Sequence, residues 1–169
     1  TLPLAHPTNV GRILIAKLSL EQAVGEDCAT FSGRAIQDLG LRRRVETELW
    51  YLHVFGIDYA LHHVGGTERA RRAALEAFYL RLDLVMDAAR HSTTELLRRS
   101  ELYTKAVESA GPEEPPWAVG RAFAQVCRAP DCVITRTLGK ERFCSALVEV
   151  SVATKRACGD DWNPFPEPP

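Results

Sequence analysis

Arg44, Glu48, Tyr51, Phe55, Asp58 and His62 follow one another at spacings of four, three, four, three and four residues. On an α-helix that rhythm sets all six in one row along a single face. Carboxylates, an imidazole and a guanidinium in a row are the groups that hold a divalent cation, move a proton, or tie two helices together as ion pairs. The row lies in L-R-R-R-V-E-T-E-L-W-Y-L-H-V-F-G-I-D-Y-A-L-H-H-V, residues 41–64, where almost everything after Glu48 is apolar or aromatic. A helix that is apolar all round is a buried one. An ionised group inside a core is so costly that it pairs, changes protonation or binds a cation, so Glu48, Asp58 and His62 each need a partner.

Three uses of the row follow. In the first, Arg44 pairs with Glu48 and Asp58 with His62 at i,i+4 range, while Tyr51 and Phe55 pack on a neighbouring helix. In the second, Tyr51 and Phe55 form the centre of an interface with another subunit, and the charges form its rim. In the third, Glu48, Asp58 and His62 make a metal or small-ligand pocket. Asp87 and His91 would join them, because D-Y-A-L-H and D-A-A-R-H repeat one D-x-x-x-H spacing on consecutive helices. A divalent metal is the one cofactor this pattern suggests, and no organic cofactor is expected. Against it, Asp83, Asp87 and His91 continue a polar stripe whose ordinary meaning is a solvated face. His53 lies opposite the row and reads as a satisfied core histidine, while His63 closes the helix where its charge suits the C-terminal dipole.

Other chemistries lack their signatures. There is no G-x-S-x-G elbow, no catalytic cysteine pattern and no phosphate-loop lysine spacing, so catalysis stays undecided. A net charge of −1 gives no reason to bind nucleic acid. The basic clusters Arg42-Arg43-Arg44 and Arg69, Arg71, Arg72 fall at opposite ends of an antiparallel helix pair. The longest apolar run, Leu49 to Ile57, contains His53 and meets Asp58, which is too short and too polar to span a bilayer. Five cysteines without a C-x-x-C pair, and a start without a signal-peptide pattern, suggest a cytoplasmic address. A local redox pair between Cys127 and Cys132 is the rival reading.

The elements that must position these groups are helical. We expect one helical domain over 1–158 and a proline-rich tail over 159–169, anchored by Trp162 and Phe165. N-V-G-R-I-L-I-A-K-L fits a buried strand or the start of a helix. Ser19 to Gln22 forms a capping box, and a short helix over 29–39 closes at Gly40. Gly65-Gly66 stops the main helix and Thr67 caps the next. From 68 to 110 two stripes keep phase, which favours one continuous helix about 60 Å long at ~1.5 Å per residue. A rod of that length bends or breaks near Ser92, or its far end has a partner. Residues 111–116 are a proline-rich linker, followed by a helix over 117–128 and a break with Asp131 as the next cap. Residues 132–158 favour a helix, with a short β-hairpin near 132–155, turning at Gly139-Lys140, as the rival. The fold class is an all-α bundle of four to six helices around the central helix 41–64. The expected function is contact with other proteins, as a homo-oligomer; the alternative is a metal- or small-ligand-binding bundle.

Overall fold

The computed structural model describes residues 9–16, 37–63, 67–89, 91–111 and 114–158. Among them all regular structure is helical: α1 over 9–16, α2 Leu39–His63, α3 Glu68–Ala89, α4 Thr93–Glu108, α5 Pro115–Val126 and α6 Val133–Cys158. The capping box at Ser19, most of the 29–39 helix, the Gly65-Gly66 turn and the tail lie outside the described residues. No described helix is long and apolar enough to cross a membrane.

The ambiguous run after Thr8 is helical, with Val10, Leu14 and Ile15 buried. Gly40 opens a helix rather than closing one. Asp38 Oδ1 accepts from the Gly40 and Leu41 amides at 2.7 and 3.0 Å, which supplies two of the free N–H groups of α2 with an acceptor. Those same bonds hold the Asp38 carboxyl below its ordinary value.

Two separate cores explain why α2 lacks a polar side over most of its length. Tyr51, Val54, Ile57 and Leu61 share one cluster with Leu14, Phe78, Leu82, Met86 and Val150. Val45, Leu52 and Phe55 belong to another with Tyr103, Val119, Phe123 and Phe143. The first turns of α2 are largely exposed, as are His62 and His63 at its other end.

The continuous helix expected over 68–110 is instead two helices that reverse direction. Ser92 caps α4, its hydroxyl accepting from the Glu95 amide at 3.3 Å. Both halves need an apolar face toward the same interior, so the stripes stay in phase across the break. Contacts of Asp58 with Tyr79 and of Trp50 with His91 make α3 antiparallel to α2. Contacts of Glu48 with Arg99 and of Phe55 with Tyr103 make α4 parallel to it.

The β-hairpin rival is overturned, because α6 runs unbroken through Gly139. Gly139 marks a close crossing, not a turn: a Cβ there would lie 2.7 Å from the Cβ of Phe123 on α5. A Cβ on Gly120 of α5 would meet the Arg136 carbonyl of α6 at 2.5 Å. The β-branched content of α6 lowers helix propensity only slightly, and packing against both α2 and α5 outweighs it.

Candidate functional site

The row on α2 is divided by the fold into a closed part and an open part. Glu48 is buried and meets Arg99 of α4 in a two-point contact, Nε to Oε2 at 2.6 Å and Nη2 to Oε1 at 2.7 Å. Glu95 reaches the same guanidinium at 3.2 Å. The expected partner Arg44 turns away and donates from Nε to the Cys127 carbonyl at 3.3 Å, at the end of α5. A planar guanidinium facing both carboxylate oxygens is the stronger arrangement, and it leaves Glu48 little capacity for a metal.

The surroundings of that pair are sealed. Burial, and then the charge of Glu48, raises the Tyr103 phenol well above its ordinary value. The same two causes push the Cys127 thiol up to about 12, where it is a poor nucleophile. Cys127 and Cys132 are both free thiols.

Tyr51 and Phe55 are interior residues of this chain. Tyr51 accepts a hydrogen bond from the Ser92 amide at 3.1 Å. Phe55 is ringed by Tyr59, Tyr103 and Phe143 at centroid distances of 5.3 to 6.0 Å. Neither presents a surface to a second subunit, which corrects their expected role at an interface. Their apolar area is already covered by α4 and α6.

Asp87 and His91 are not brought to Asp58 and His62. Because α3 is antiparallel, it sets Tyr79 beside Asp58 and carries His91 back to Trp50, about two helical turns away along α2. His91 stacks on Trp50 at 3.9 Å and meets Tyr51 edge-on, and burial lowers its pKa. Asp87 is exposed. Among the described residues no group of three or more His, Cys, Asp and Glu side chains gathers closely enough to hold a metal.

His53 is satisfied, as expected of a core histidine, by partners on α6. Nε2 lies 2.9 Å from Glu149 Oε2, and Nδ1 lies 3.1 Å from Arg142 Nη1. A guanidinium only donates, so Nδ1 accepts and Nε2 carries the proton toward the carboxylate. This tie between α2 and α6 was not visible in the sequence while 132–158 read as helix or hairpin.

The open part is the C-terminal end of α2. Asp58 Oδ1 accepts from the Tyr79 hydroxyl, and the Asp58 carbonyl lies 2.9 Å from His62 Nδ1. His62 borders two clefts. One, of about 520 Å³, lies against α3 with Arg71, Leu75 and Tyr79 in its wall. The other, of about 300 Å³, separates α2 from α4 and also includes Asp58, His63 and Glu108. Here, and not along the buried row, ionisable groups meet open space. No known protein family, curated protein or solved structure matches this chain.

Proposed function

We propose that this protein acts through protein–protein contact, pairing with a second copy of itself along the outer face of α3. The carrying observation is an exposed apolar seam. Leu80 is 78% and Leu84 69% exposed, and Ala73 and Ala77 precede them at spacings of four and three. A spacing of four, three and four is that of a coiled-coil seam. It lies nearly opposite the inner face of α3, formed by Ala74, Phe78, Leu82 and Met86, which is already buried.

Charge selects the partner and its direction. With Ala77 and Leu84 at a positions and Leu80 at d, Glu76 falls at g and Arg81 at e. In a parallel, in-register pair each g residue faces the e residue five positions on in the other helix. Glu76 would then face Arg81 of the second copy on both sides of the two-fold axis. Within the chain, neither side chain forms an ion pair with a described residue. An antiparallel pairing with Ala77 opposite Leu80 would instead set Glu76 near Asp83, a like-charge contact. The helical domain around α2 then serves as the scaffold that displays α3, and a cytoplasmic setting is part of the same proposal.

Sedimentation equilibrium tests the proposal. The wild-type chain is expected to show a two-chain mass at micromolar concentration, and Leu80→Asp a one-chain mass with unchanged helicity. Glu76→Arg is expected to weaken pairing, and adding Arg81→Glu to restore it. A one-chain mass for the wild type throughout that range removes the proposal, and so does a dimer indifferent to all three substitutions.

A further inference from the structure

The 300 Å³ cleft between α2 and α4 has a chemistry of its own, independent of pairing through α3. Because these two helices are parallel, both C-terminal ends meet at it, and the last carbonyls of a helix carry partial negative charge. His62 Nδ1 lies 2.9 Å from the Asp58 carbonyl and His63 Nδ1 2.7 Å from the Tyr59 carbonyl. A carbonyl cannot donate, so both Nδ1 atoms carry the proton, and Nε2 of each neutral ring is left as an acceptor. Asp58 and Glu108 add carboxylates. Glu108 has no ion pair or hydrogen bond from its side chain to a described residue; Lys105 is held by Glu101 at 2.7 Å, and the charge of Glu108 is a lesser influence on it. The remaining wall includes Phe55, Tyr59 and Val107; His63 covers one face of Tyr59 at 4.0 Å, so the rings offer an apolar lining, and the second Tyr59 face is the one left to attract a cation.

We propose that this cleft binds a small organic ammonium ion. Acceptors, negative helix ends and aromatic rings together suit a compact cation with several N–H donors and an apolar body. They suit an anion badly. A metal ion is the weaker reading because no set of three ligating side chains converges among the described residues.

The test titrates the full chain with 2-phenylethylamine, and separately with the neutral 2-phenylethanol and with zinc chloride, following histidine ring signals by NMR. Saturable binding of the amine with shifts of the His62 and His63 signals, and much weaker binding of the alcohol, is the expected result. Glu108→Gln is expected to weaken the amine by on the order of tenfold, as loss of a charge-assisted contact does. Thr104→Trp, which fills the cleft from an exposed position, is expected to abolish binding; melting curves confirm that each variant is folded, and Glu108→Gln decides alone if Thr104→Trp is not. Equal binding of amine and alcohol overturns the proposal. So do an amine that leaves the histidine signals unmoved at millimolar concentration, a folded Glu108→Gln that binds it like the wild type, and zinc that saturates those signals when the amine does not.

Discussion

Arg99 is the residue on which the buried acid of α2 depends. Its hydrogen bonds to Glu48, and then the nearby charges of Glu48 and Glu95, raise its pKa further despite burial. Removing one member of such a pair leaves an uncompensated charge, which costs about 3 kcal/mol or more, whereas replacing both by apolar groups is close to neutral. Arg99→Met is therefore expected to lower stability in urea by about 3 kcal/mol. Glu48→Leu combined with Arg99→Met is expected to recover most of that loss. His91 supplies the pH dependence. Its pKa is lowered by burial from 6.5, so the unfolded chain takes up a proton first as the solution is acidified. Its contribution is intact above 6.5 and is lost as pH falls from there toward the lower folded-state value. His91→Phe keeps a ring against Trp50 and removes that proton. Its stability relative to the wild type is expected to rise as pH falls through 6.5 toward the lower folded-state value, measured as urea midpoints. That Glu48 needed a partner was legible in the sequence. That the partner is Arg99 and not Arg44 was not, because a rule for residues four apart says nothing about a helix that returns fifty residues later.

At the scale of elements, both capping chemistry and hydrophobic phase misled in places: Gly40 lies in the first turn of α2 instead of closing a helix, Cys132 rather than Asp131 precedes α6, and the apolar stripe crosses a helix break. Ser92 caps α4 through the Glu95 amide, while the apolar stripe that favoured one continuous helix ran smoothly across the break because α3 and α4 face the same interior. In α6 the alternation of V-E-V-S-V resembles a strand for a related reason. The helix touches α2 on one side and α5 on another, so its apolar positions spread around the circumference instead of forming one stripe. Glycine controls the approach of α5 to α6. Gly120→Ala places a methyl group 2.5 Å from the Arg136 carbonyl, so the helices must separate, at a cost of about 1 to 3 kcal/mol. Gly111→Ala meets nothing within 4 Å and is expected to shift stability by no more than about 0.5 kcal/mol. Thermal melting of the two variants side by side checks the contrast.

For the whole molecule, the all-α class was readable from composition and helical spacing, and the division into an inner and an outer surface was not. Tyr51 and Phe55 looked like contact residues because large rings beside charges have the composition of an interface; only the return of α4 and α6 shows that they are covered. Leu80 and Leu84 stand out as exposed only once the inner face of α3 is located. The tie between His53 and Glu149 spans 96 residues of sequence. At a synthesis rate of roughly 5 to 20 residues per second, α2 leaves the ribosome roughly 5 to 20 s before α6. Through that interval the apolar side of α2 that α6 will cover stays bare to water, so slowing translation between α2 and α6 is expected to increase aggregation of the nascent chain, measured as the soluble fraction of the product.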